Sequence, residues 1–110
     1  MILESVGEVI ATRSLLLLRD GTAKAEVTVV LGKPQAGQDQ QEFYCPYQIR
    51  GAGDEKVRAA HGVDAFQALQ LALSILAVEL DVLNKELGGR LRWECDDEGG
   101  FGFPGFVAFT

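Results

Sequence analysis

Residues 22–31, TAKAEVTVVL, alternate apolar and polar as far as Val29, and residues 8–19, EVIATRSLLLLR, form a second, leucine-rich run before them. Alternation is the period of a strand with one face buried. Between the two runs stands Asp20–Gly21, a dipeptide suited to a type I′ turn, which needs positive φ at both central residues. A two-residue turn there would fix the register. It sets Leu18 opposite Ala23, Leu16 opposite Ala25, Ser14 opposite Val27, Thr12 opposite Val29 and Ile10 opposite Leu31. This face is expected to meet the core. Arg13, Arg19, Lys24 and Glu26 fall on the other face, together with Leu15, Leu17 and Val30, which implies partial cover there.

Residues 32–41, GKPQAGQDQQ, are polar with Gly and Pro and read as a flexible loop. A third strand is expected over 42–50, a turn at GAGD, 51–54, and a short fourth strand over 55–61. Pro46 lacks an N–H, so the third strand should lie at an edge or carry a bulge. GVD then leads into a helix. Asp64 is a good N-cap and Gln67 follows three residues later, the spacing of a capping box. The helix should run to about Leu87 and end at Gly88–Gly89. Its polar residues Gln67, Gln70, Ser74, Asp81 and Lys85 repeat at helical spacings and form one narrow stripe. A helix laid on one sheet needs an apolar arc of roughly 100° or somewhat more. The arc here is wider, so the C-terminal tail, a second subunit or a partner must cover the excess. Residues 90–98, RLRWECDDE, read as a short fifth strand running into an acidic turn. The last stretch, GGFGFPGFVAFT, holds four phenylalanines and is expected to dock. The fold class is therefore α+β: an antiparallel meander of four or five strands packed against one long helix, as a single domain over 1–110.

Composition narrows the function more than the fold. With 110 residues, 47% hydrophobic and 24% charged, the chain has the make-up of one globular domain. The net charge is −6. Residues 1–50 carry five Lys/Arg and six Asp/Glu, and residues 51–110 carry five and ten. No basic cluster is present, which argues against a nucleic-acid partner. The longest apolar stretch, Ala65–Leu83, is broken by Gln67, Gln70, Ser74, Glu79 and Asp81, so no membrane association is expected. Leu15–Leu18 is too short for a secretory signal, and Glu4 and Glu8 precede it. The expected location is cytoplasmic, with Cys45 and Cys95 as free thiols.

Within FYCPYQIRG, 43–51, the cysteine shares its face with Phe43, Tyr47 and Ile49. Cys45 therefore reads as a small buried hydrophobe with an inert thiol. A nucleophilic role would need His61 as base, the one histidine of the chain. Asp96, Asp97 and Glu98 lack the spacing of a calcium loop and read as a solvated turn. The glycine-rich stretches match no phosphate-binding motif, and no hydrolase or zinc-ligand spacing is present. No catalytic residue, metal or cofactor is indicated. Tyr47, Arg50, His61 and Trp93 are the candidate ligand-contact residues, placed around a pocket beside the sheet.

The stretch CPYQIRGAGDEKVRAAHGVDAFQALQLALSIL, 45–76, resembles a family of small uncharacterised bacterial proteins. The matching pieces are CPYQI, G-x-G-D, GVD and QALQLAL, followed by GRLRW and GFP. The family has no known function, so the resemblance assigns no site residue. It implies a stand-alone bacterial domain of one sheet plus one long helix. By fold-level analogy, such proteins include toxin-immunity and accessory proteins. The first expectation is thus a non-enzymatic interaction protein, immunity-like or regulatory, with a homodimer through its helix or its phenylalanine-rich end as one form of it. The alternative is a small-molecule binder or enzyme using the four candidate residues.

Overall fold

The computed structural model describes residues 3–20, 24–38, 41–96 and 98–104. The chain folds as strands β1 (Val9–Leu18), β2 (Lys24–Gly32), β3 (Gln35–Ala36), β4 (Phe43–Arg50) and β5 (Arg58–Gly62), helix α1 (Ala65–Glu86) and strand β6 (Leu91–Arg92). All strand pairs are antiparallel. The α+β class and the single long helix are as the sequence leads one to expect. The sheet has six strands, because two very short ones join the meander.

Tyr47 pairs with Leu31 of β2 on one side and Arg58 of β5 on the other. Phe43 pairs with Ala36 of β3 and Gly62 of β5. β2 and β3 therefore share one edge of β4, and the sheet runs β5, β4, β2 with β3, β1, β6. The polar segment 32–41 is not all loop, since β3 lies within it. β4 is interior, not an edge strand. Pro46 is tolerated because β2 stops pairing at Tyr47 and β3 starts at Tyr44, so on that side no ladder bond is missing at Pro46.

The hairpin register differs by one residue from the two-residue turn. Leu18 pairs with Lys24, Leu17 with Ala25, Leu15 with Val27 and Arg13 with Val29. The core face of β2, Ala25, Val27, Val29 and Leu31, is the expected one. On β1 the faces are exchanged: Leu15 and Leu17 are buried while Leu16 and Leu18 are half-buried. Shifting a strand by one residue turns every side chain over. The connection takes up residues 19–23, and Gly21 lies outside the described residues.

Helix α1 starts as its sequence dictates. The Asp64 carboxylate accepts from the Gln67 N–H at 2.8 Å, and the Gln67 side-chain oxygen accepts from the Val63 N–H at 2.8 Å. Leu87 caps the other end, and Gly88 and Gly89 take φ of 71° and 76°, values that favour glycine. Ala68, Ala72, Leu76, Leu80 and Leu83 are buried. They fall on one face at helical spacing and join Leu15, Val27, Val29, Cys45 and Tyr47 in the core. Full burial of each leucine is worth about 1.5–3 kcal/mol. Ser74 is also buried, so the polar stripe is not wholly solvated. By length and mean hydropathy, 1.6, α1 would pass as a membrane span, a test that core helices also meet; here one face of it covers the sheet, while Phe66, Val78 and Val82 stay exposed.

The small residues at the start of α1 matter. A methyl group at Gly62 would stand 2.5 Å from the Ala68 nitrogen. Helix and β5 touch backbone to backbone there. On the other face of the sheet the buried Val6 crosses Gly32, where a Cβ would overlap the Val6 carbonyl. At the far edge the Leu91 N–H donates to Asn84 Oδ1 at 2.9 Å, which ties β6 to α1. Phe101 is buried and Phe103 packs on the core, so the start of the tail docks. Phe106 and Phe109 lie outside the described residues, as does Asp97 of the acidic turn.

Candidate functional site

Tyr47 is buried on the core face of β4. Its hydroxyl donates to Glu79 Oε1 of α1 at 3.1 Å. Arg58, its neighbour across the β4–β5 ladder, approaches the same carboxylate oxygen at 3.9 Å. Arg58 is held chiefly by Asp54, with Nη2 donating to Oδ2 at 2.8 Å and Nη1 to Oδ1 at 3.3 Å. Burial, and then the Glu79 charge, push the Tyr47 hydroxyl well above its usual range. The hydrogen bond from Arg58 lowers the Asp54 carboxyl. The result is one chain of polar contacts from core to surface, Tyr47 to Glu79 to Arg58 to Asp54.

The other three candidates lie elsewhere. Arg50 is exposed at the end of β4, and its Nε donates to Gln48 Oε1 at 2.7 Å. His61 lies on β5 with its Nδ1 2.8 Å from Glu42 Oε1, both side chains about half-exposed. Trp93 follows β6, where its ring lies under Arg13, with the guanidinium carbon 4.2 Å from the ring centroid. β5 and β6 are opposite edges of the sheet, four strand spacings apart, or about 19 Å. His61 and Trp93 therefore do not converge on one pocket, and Tyr47 faces the core.

Cys45 is fully buried, and its thiol donates to the Gly32 carbonyl at 3.4 Å. Burial pushes it up to about 11. This is the environment of an inert thiol.

Beside a shallow hollow of about 320 Å³ at the helix start, lined by Glu42, His61, Gly62, Val63 and Gln67, two further cavities border α1. One, about 230 Å³, is lined by Ala11, Val29, Leu31, Leu73, Leu76 and Phe103, with Arg13 at its wall. The other, about 260 Å³, opens between the second half of α1 and the segment linking β4 to β5. Its apolar side is Ile49, Val78, Val82 and Leu83, and its rim carries Asp54, Glu55, Glu79 and Glu86 with Lys56 and Arg58. The linking segment is set by a tight backbone. Gly51 and Gly53 take φ of 96° and 72°, and Glu55 takes 57°. The left-handed region costs a non-glycine residue roughly 1–2 kcal/mol. Glu55 is held in it by its carboxylate, which accepts from the Gly51 N–H at 2.9 Å, and by its carbonyl, which accepts from Gln48 Nε2 at 2.7 Å.

The groove continues into a ridge. Leu71, Ile75, Val78 and Val82 stand at spacings of four, three and four, so they share one helix face. Val78 and Val82 are 43% and 50% exposed. This is the excess of apolar helix surface that the sequence implies, now placed on named residues. Further exposed apolar residues, Val63 and Phe66, lie at the helix start.

Residues 11–105 match a family described only as a domain of unknown function, DUF6968. The chain belongs to this family. The matched range takes in every motif of the resemblance, from CPYQI to GFP. No curated protein and no solved structure matches the chain. Membership of DUF6968 carries no activity, so the site must be argued from its own geometry. Sequence reasoning passed over Arg13, Glu79 and Arg58. For Arg58 and Glu79 the only local signal is a charge set among apolar positions, which most surface charges share. For Arg13 even that is lacking, because its partners are far along the chain.

Proposed function

We propose that the chain is a non-enzymatic protein-interaction module, of immunity-like or regulatory kind, working through the outward ridge of α1 and the groove beside it. The observation that carries this reading is the exposed pair Val78 and Val82, continuous with Leu71 and Ile75 on one helix face. Apolar surface of this kind, rimmed by charge, is what interfaces use. Against an enzyme built on Cys45 or Tyr47 stands the state of those two groups: the Cys45 thiol is buried and raised, and the Tyr47 hydroxyl is held by Glu79. Against a small-molecule pocket built on Tyr47, Arg50, His61 and Trp93 stands their dispersal across the sheet. A cytoplasmic setting fits the two free thiols.

The test is affinity purification of the tagged chain beside a Val78→Ser/Val82→Ser variant, with quantitative mass spectrometry and light scattering. The reading expects one stoichiometric partner, a second copy or another protein, that is lost in the variant while circular dichroism is unchanged. A wild-type chain that stays monomeric and alone, yet retains a metabolite, would sink it.

A further inference from the structure

We infer that the groove beside the second half of α1 receives a basic, amphipathic segment of a different protein. This rests on the interaction reading above and names the chemistry of the partner. One side is apolar, with Val78 and Val82 one helical turn apart, or about 6 Å along the axis. The rim holds four carboxylates, Asp54, Glu55, Glu79 and Glu86, against two cations, Lys56 and Arg58. Arg58 and the carboxylates of Asp54 and Glu79 engage one another, and the rim as a whole keeps an excess of two negative charges. The groove therefore offers two apolar contacts inside a rim of negative excess. A segment that places two apolar side chains one turn apart, with lysine or arginine beside them, satisfies both parts.

The same charges disfavour other occupants. A two-fold pair of copies places the same patch on both sides, so a second copy would set these carboxylates against themselves. The chain as a whole carries −6, which works in the same direction. Anionic lipid and nucleic acid would meet that repulsion too.

The experiment uses the full chain and two fluorescent synthetic helices, one of leucine and lysine and one with glutamate in place of lysine. Anisotropy titrations should show the lysine helix binding tighter by about tenfold or more, with affinity falling as salt rises. Glu86→Lys and Val82→Ser should each weaken it by about fivefold or more. Glu94→Lys, which makes the same charge change at an exposed site away from the groove, should leave it within about twofold. Equal binding of the two helices overturns the proposal, as does equal weakening by Glu86→Lys and Glu94→Lys. Light scattering on the same samples separates the two levels. A homodimer broken by Val82→Ser keeps the interaction reading and overturns the basic partner. A chain that binds neither helix and does not self-associate overturns the basic partner, and the affinity purification above then decides the interaction reading.

Discussion

The Arg13 guanidinium lies over the Trp93 ring at 4.2 Å. The Phe103 ring takes it at 4.7 Å, and its Nη1 donates to the Phe101 carbonyl at 2.9 Å. One side chain of β1 thus holds two segments from the end of the chain. A partly buried cation between two rings is worth about 1–2 kcal/mol. Arg13→Ala should lower the melting temperature accordingly, by about 4–8 °C per kcal/mol for a chain near this size. Arg13→Lys should restore only part of it, because an ammonium cannot stack flat on two rings and also keep the carbonyl bond. Thermal unfolding followed by circular dichroism decides this; a full rescue by lysine would count against the stack.

Tyr47→Phe removes one hydrogen bond and leaves Glu79 with Arg58 and water. The expected loss is about 1 kcal/mol, with no change in the denaturant slope. A denaturant midpoint indistinguishable from wild type would mean that the hydroxyl does not hold Glu79 in solution.

Gly62→Ala should be the more damaging of these small changes. Its methyl would press on the Ala68 backbone, which cannot swing aside as a side chain can. Overpacking of this kind costs about 1–3 kcal/mol. Gly89→Ala makes a useful contrast: its Cβ meets nothing within 4 Å, so only the left-handed backbone, φ 76°, opposes it. If both variants lost stability equally, the close approach of α1 to β5 would not be the cause.

The Cys45 thiol moves from about 9.0 to about 11 on folding. Below pH 9.0 it is protonated in both states and its contribution is fully present. Between pH 9.0 and 11 the unfolded chain ionises and the folded chain does not, so stability falls by up to about 1.4 kcal/mol per pH unit. Cys45→Ala should lack this slope between pH 9 and 10, before Tyr47, whose ordinary value is 10.0, adds its own. Urea midpoints at stepped pH measure it. In native protein a thiol reagent should modify the exposed Cys95 and spare Cys45 until unfolding.

Local rules read the helix ends, the β2 core face and the burial of Cys45 from the sequence, because each is decided within a few residues. Asp64 and Gln67 cap the helix whatever lies around it. The β1 faces were not legible in the same way. Leu15 to Leu18 are four leucines in a row, so alternation alone cannot choose between Leu15 with Leu17 and Leu16 with Leu18. Only the length of the connection settles it. The groove was half legible: the excess apolar arc is in the sequence, but its place beside Asp54–Arg58 depends on where β5 docks. Arg13 over Trp93 and Phe103 was not legible, because nothing near Arg13 in the chain signals a ring.

The β1–β6 ladder has a consequence for the order of assembly. Leu17 pairs with Leu91, across most of the chain, while β1, β2, β4 and β5 pair with near neighbours. Contacts of long sequence separation close late. On a ribosome the meander is complete in sequence before α1 has emerged. Its core face, Leu15, Val27, Val29 and Cys45, stays bare until the helix follows. The newborn chain therefore passes through a stage in which the first five strands are out but lack both β6 and the helix that covers them, and that interval is where a chaperone would be of most use.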